Sequence, residues 1–319
     1  MRRHDRIDLT GGTVLVALCA AWGLTQVAIK IAGMEGLPAM LQAALRSLGA
    51  AVLLCAWTFA RDGVRGLRKL LARDDAFWPG MLIAALFAAE FLCIFPAMQL
   101  TTASRGILFV YTAPFWVAIG AHLLVPGERL TSRQMAGLLC AFVGVACALA
   151  DGLWHGGGSI AGDALAGLGA AFWGLTTVAV KASRRLQAIS PAKQLLYQLA
   201  GSVPYLLLAA AVTGQWRASE ATPVAWAWLG YQTVVVAFIS YLSWFWLIAY
   251  YPAGRLSAFS FLTPVFGMIA GAVLLHEPVT AELAVALVLV ATGIRLVNGP
   301  KPASAQAAKA ALGIRSSRR

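Results

Sequence analysis

The chain has 319 residues, of which 60% are hydrophobic and only 12% charged. Soluble domains carry about 45–50% apolar and about 25% charged residues, so an ordinary water-soluble enzyme is excluded. The net charge of +12, from 25 basic and 13 acidic residues, would suggest nucleic acid in a soluble protein. In an apolar chain it reads as orientation charge on cytoplasmic loops.

The apolar residues run continuously for about 20 residues at a time, the length needed to cross about 30 Å of hydrocarbon as a helix. Continuous runs argue against the alternating pattern of a β-barrel. Ten spans are predicted, at about 13–31, 38–60, 78–99, 104–125, 133–150, 163–181, 191–212, 224–249, 255–275 and 281–297. The first follows a basic start and resembles a signal sequence, but it is longer than a signal core. Bulky Leu18 before Cys19 makes a poor lipoprotein cleavage site, so an uncleaved first helix is expected. The stretch 299–319, basic and rich in Ala and Ser, reads as a disordered cytoplasmic tail.

With the N-terminus inside, 21 of the Lys and Arg residues fall on inside segments. Lys30, Arg105 and Arg217 alone fall outside, and Arg46 lies within a span. This asymmetry places both termini in the cytoplasm. Cys19, Cys55, Cys93, Cys140 and Cys147 all sit inside apolar runs and read as small core residues rather than a disulfide framework.

An internal repeat follows. Residues 20–30 read AAWGLTQVAIK and residues 171–181 read AFWGLTTVAVK, identical at eight of eleven positions with an offset of 151. Arg105, Pro114, Glu128 and Thr131 correspond to Arg255, Pro264, Glu277 and Thr280, with offsets of 150 and then 149. The fold class is therefore an all-α membrane protein of ten transmembrane helices, built as two five-helix repeats. An odd number of helices makes the second copy enter the membrane from the opposite side, the inverted arrangement of secondary transporters. The units expected are 12–150, 160–298 and the tail.

The mid-helix Trp22-Gly23 and Trp173-Gly174, the stretch TAPFWVAIGAHLLVPGERLTSRQMAGLLCAFVGVAC at 112–147, and its echo LTPVFGMIAGAVLLHEPVTAEL at 262–283 resemble the EamA family of the drug/metabolite transporter superfamily. Gly127-Glu128-Arg129-Leu130-Thr131 is the most specific piece, and the second copy departs from it at His276, Pro278 and Val279. The resemblance implies an inner-membrane exporter of amino acids or other small metabolites, with a pocket between the repeats. A small organic solute and the lipid bilayer are the expected partners, a homodimer is admitted, and nucleic acid is not expected.

Helical spacing puts Trp22, Thr25, Gln26 and Ile29 on one face, and Trp173, Thr176, Thr177 and Val180 on the corresponding face. These faces either pack or line the pocket. Pro114 and Pro264 each remove a backbone bond mid-span, as a static kink or as a broken helix beside a site, with Tyr111 and Phe261 as flanking walls. Glu128 and Glu277 sit beside cap signals, Thr131 with Gln134 and Thr280 with Glu282, and are read as loop residues or as gates.

Arg46 and Glu90 are the intramembrane charges. They form either a buried ion pair or a substrate-binding and coupling pair. The eighth span is crowded with Tyr231, Phe238, Tyr241, Trp244, Phe245 and Trp246. Tyr241 and Trp244 lie deep enough to stack on a cargo, whereas Trp246, Tyr250 and Tyr251 read as interface anchors.

The substrate-binding candidates are thus Trp22, Gln26, Glu90, Tyr111, Trp173, Thr177, Tyr241 and Trp244, with Glu90 and Arg46 as coupling candidates. The chain has no HExxH, no paired CxxC and no phosphate loop, and His4, His122, His155 and His276 are far apart. No catalytic residue, metal or cofactor is expected. An intramembrane enzyme acting on a lipid-linked substrate is the competing class, but it needs clustered acids or histidines, and only Glu90 lies deep.

Overall fold

A computed structural model of the chain describes residues 7–101, 103–150, 159–218, 220–275 and 281–299. The basic start, the glycine run at 156–158, His276 to Thr280 and the tail beyond 299 lie outside the described residues. The helices are α1 (Leu9–Met34), α2 (Ala39–Leu71), α3 (Phe77–Leu100), α4 (Ala103–Val110), α5 (Ala113–Leu124), α6 (Ser132–Ala148) and α7 (Ile160–Ala182). They continue with α8 (Arg184–Ala188), α9 (Pro191–Val212), α10 (Pro223–Tyr231), a π-helical segment (Gln232–Ser240) and α11 (Tyr241–Tyr250). The last are α12 (Ala253–Phe259), α13 (Leu262–Leu275) and α14 (Ala281–Asn298). No strand occurs among the described residues.

Among the described residues, seven helical stretches are long and apolar enough to cross a membrane, and two shorter apolar helices, Ser132–Cys147 and Val285–Asn298, accompany them. The protein is a multi-pass membrane protein.

Local chemistry sets many of the boundaries. Ser190 and Thr222 accept backbone N–H groups three residues on, from Lys193 and Ala225, with Pro191 and Pro223 at the first helical position. The expected capping box is present: Thr131 accepts from Gln134 N, and the Gln134 side chain accepts from Thr131 N at 3.0 Å. The second predicted span ends where Gly63 takes φ 64°, ψ −163°, which interrupts α2 before its basic last turn.

Two differences from the expected spans matter. The fourth and ninth spans are not kinked helices but pairs of helices, and Pro114 opens α5 at its first turn. A proline there loses no bond, because the first N–H groups of a helix have no internal partner. The eighth span holds nine π-helical residues between α10 and α11, which the apolar pattern does not signal.

Helix packing repeats between the halves. α1 packs on α13 as α7 packs on α5, while α2 faces α9 and α6 faces α14. The register agrees as well. A Cβ on Gly23 would lie 2.7 Å from Gly267 N and 2.9 Å from Phe266 Cβ. One on Gly174 would lie 3.2 Å from Val117 N and 2.6 Å from Trp116 Cβ, the corresponding residues of the other half. Close approach through small residues is how helices associate in lipid, where burial from water supplies no drive. The α6–α14 contact has the same character, with Gly137 and Gly293 backbone to backbone.

Candidate functional site

Three of the sequence-derived residues meet at the junction of the halves. The Trp22 ring lies edge-on to Trp244 at 5.5 Å, and Trp173 stacks on Trp244 at 5.7 Å with 27° between planes. Trp22 Nε1 donates to Ser240 Oγ at 2.8 Å. That bond resolves the difficulty of an indole N–H far from water. Ser240 in turn donates to Val236 O at 2.5 Å.

Tyr241, one residue beyond Ser240, joins this cluster to a second one. It meets Phe87 at 5.9 Å, Phe87 meets Phe91 at 4.9 Å, and the Arg46 guanidinium lies over Phe91 at 4.5 Å. Glu90 sits within electrostatic reach of Arg46 and Tyr241. Arg46 is 2% and Glu90 8% exposed, yet the two form no ion pair within 4.0 Å. Arg46 Nε and Nη2 and Glu90 Oε2 are buried without a hydrogen-bond partner. The static ion pair, one of the two readings of these residues, is not formed, and the guanidinium rests on an aromatic face. Buried charges without hydrogen bonds are costly and in membranes mark functional positions.

Other candidates fall elsewhere. Thr177 lies one turn along α7 from Trp173, is buried, and donates to Trp173 O at 3.3 Å. Its hydroxyl therefore bonds its own helix, as Thr25 does to Ala21 O at 2.8 Å. Gln26 follows Thr25 on α1. Tyr111 occupies the break between α4 and α5, in the cluster of Leu108, Phe115 and buried Phe261. Trp246 is exposed at the rim with Tyr250, as an anchor should be.

Ser240, Phe87 and Phe91 were missed. Only Ser240 left a signal, a small hydroxyl four residues before Trp244 in an apolar run that also holds Ser243. Among the described residues no group of three His, Cys, Asp or Glu could hold a metal. All five cysteines are unbridged. His122 accepts the Leu130 N–H at 3.3 Å, and His4, His155 and His276 lie outside the described residues.

Each end of the junction is also tied. Near the start of α7, Asp163 accepts from Thr101 Oγ1 at 2.7 Å and pairs with Arg105. At the opposite end, Lys181 Nζ stands 3.6 Å from Glu128 Oε1, and Tyr251 donates to Asp8 Oδ1 at 2.7 Å. Burial, then the Asp8 carboxylate, pushes the Tyr251 phenol up to about 12, which keeps it a donor.

A chain helical throughout its described elements, with apolar spans, repeated packing and an aromatic junction between halves, fits the polytopic membrane transporters. The family model of the EamA-like transporters matches residues 9–150 and 160–299, and the chain belongs to that family. It is 28% identical to the uncharacterized transporter YvbV of Bacillus subtilis over 92% of this chain and 93% of that protein. It is likewise 28% identical to a "probable amino-acid metabolite efflux pump" of Escherichia coli, over 89% of this chain and 93% of that one. A solved crystal structure shares the fold, with a TM-score of 0.72 at 19% identity over 89% of this chain and 96% of the other.

Proposed function

We propose that the protein is a secondary transporter of the inner membrane. It exports amino acids or other small organic metabolites by alternating access through a pocket between two inverted five-helix repeats. The observation that carries this reading is the meeting of Trp22 and Trp173, corresponding residues of the two halves, on Trp244. A site at the axis relating two inverted units can be opened to either side by the same movement.

Ten spans with both termini inside follow from counting α4–α5, α10–α11 and α12–α13 as one crossing each, and the basic residues support that count. The named efflux pump of Escherichia coli supports the amino-acid class. Trp22, Trp173, Tyr241 and Trp244 supply aromatic walls, with Gln26, Thr177 and Tyr111 as further lining candidates. Arg46 and Glu90 supply the charges that couple or select.

The test is accumulation of a solute panel in cells lacking and overproducing the protein, supplemented with dipeptides to raise internal amino acids. Overproduction should lower the internal level of at least one amino acid or related metabolite. Trp22→Ala and Trp173→Ala should abolish that difference with folded protein still in the membrane. Identical solute levels in all strains would remove the export reading.

A further inference from the structure

Arg46 is buried on α2, and its guanidinium lies over the Phe91 ring of α3 at 4.5 Å. A guanidinium held on an aromatic face has its plane fixed, while its edges remain open to hydrogen bonds. The two buried nitrogens without a partner are Nε and Nη2. They share one edge of the group, where their N–H bonds run side by side. That edge is the fork a carboxylate meets with both of its oxygens.

The surrounding side chains do not fill the fork. Glu90 stands within electrostatic reach but forms no ion pair with Arg46, and its own Oε2 is buried without a partner. Gln42, one turn earlier on α2, is engaged elsewhere. Its amide nitrogen donates to Leu37 O at 2.7 Å, and its oxygen accepts from Gln232 Nε2 at 3.0 Å. Phe87, Phe91 and Phe95, which cluster here against Ala43 and Ala44 of α2, carry no acceptor in their side chains. A buried cation with an unused pair of parallel donors is costly unless something else completes it.

We propose that the Nε–Nη2 edge of Arg46 is the receptor for the carboxylate of the transported solute. The cargo is then a small organic carboxylate, α-amino acids included, and simple amines and sugars are not recognised. The proposal rests on the transport reading and names the chemical group by which the site selects. Tyr241 lies against Phe87 and follows Ser240, the acceptor for Trp22, so the fork stands beside the tryptophan junction. Glu90 makes the charged pair neutral overall, which suits a singly charged carboxylate and opposes the nearly double charge of a phosphate. The anchor is single. At the offset of 151 the other half has Tyr197, whose hydroxyl donates to Asp74 at 3.0 Å. Paired tryptophans alone would admit a solute either way round, and one cation on one half fixes which end the carboxylate takes.

The test is thermal unfolding of the purified full chain in detergent, titrated with the common L-amino acids and with the corresponding carboxamides. At least one amino acid should raise the midpoint. Its carboxamide keeps the ammonium and the side chain but loses the charged acceptor, and should bind about tenfold more weakly or worse. Arg46→Gln should erase this preference. Arg46→Lys should retain it with weaker binding, because an ammonium is a point charge without the fork. No response to any acid, equal affinity for acid and carboxamide, or parental affinity in a folded Arg46→Gln overturns the carboxylate receptor. The comparison of acid with carboxamide uses the parent, so it decides the matter even if the Arg46 variants do not fold. Efflux of the same compounds from cells is read separately. Export of a solute without a carboxylate would keep the transport reading and remove this role of Arg46, whereas acid-selective binding without any export would do the reverse.

Discussion

Trp22 and Trp173 stand 151 residues apart, at corresponding positions of the two halves, and share one neighbour, Trp244. The sharing is unequal. Trp22 meets the ring edge-on and hydrogen-bonds Ser240, while Trp173 stacks. A single aromatic residue from the second half cannot present the same surface to both partners, so an exact internal symmetry ends at this ring.

Ser240→Ala should destabilise the protein by about 1 kcal/mol, because it removes the acceptor of the half-buried Trp22 N–H. Thermal unfolding in detergent reads this directly. An unchanged midpoint would mean that the Trp22 N–H finds another acceptor.

Gly23→Ala and Gly174→Ala should each destabilise by about 1–3 kcal/mol through overpacking. The new methyl would stand 2.7 Å from Gly267 N in the first case and 2.6 Å from Trp116 Cβ in the second. Gly12→Ala is the control, with nothing within 4 Å of the added carbon. It should be neutral or stabilising by up to about 1 kcal/mol, since alanine favours helix. Equal behaviour of the three variants would count against close packing at the two Trp-Gly sites.

Glu90→Gln should abolish accumulation driven by an imposed pH gradient in membrane vesicles while leaving downhill exchange of solute. One proton moving across 100 mV supplies about 2.3 kcal/mol, equivalent to about a 50-fold solute gradient. Unchanged pH dependence would take Glu90 out of coupling. Loss of folded protein would assign it a structural place beside Arg46.

Asp74→Asn should lower thermal stability at neutral pH, with the difference shrinking as the pH falls. Burial alone would raise the Asp74 pKa. The Lys193 ammonium at 2.6 Å, the Tyr197 hydroxyl at 3.0 Å and the Ala76 N–H at 3.0 Å outweigh burial and hold it below the usual carboxylate range. A lowered folded pKa gives stability above the unfolded value, near pH 4, that is lost as pH falls through the folded one. Melting curves of parent and variant should therefore converge below about pH 4. A constant gap from pH 7 to pH 3 would contradict this.

Cysteine at position 156 should be labelled from outside, and Arg68→Cys only after permeabilisation. The asymmetry of basic residues sets this expectation. The opposite pattern would invert the topology.

Much of the architecture was legible in the chain. Apolar run length and the Trp-Gly repeat defined helices in two halves, because a lipid-embedded helix must be apolar along its length and repeated packing needs repeated small residues. The capping box at Thr131 and Gln134 was readable for a similar reason, since its bonds span three residues. Trp22, Trp173 and Trp244 could each be picked out as tryptophans deep in apolar spans.

Tertiary structure decided what those residues do to one another. The sequence left Arg46 and Glu90 as either a buried ion pair or a substrate-binding and coupling pair. The folded chain makes no salt bridge between them and lays Arg46 on Phe91, a choice that depends on where α2 and α3 pass and that no local pattern encodes. Glu128 looked like a loop or cap residue, and its partners Lys181 and Ala253 lie 53 and 125 residues away. Local propensity and hydropathy act over a few residues and fix elements and their faces. Pairings between charges depend on where whole helices cross, which is set by the sum of many weak contacts and appears only when the chain is packed.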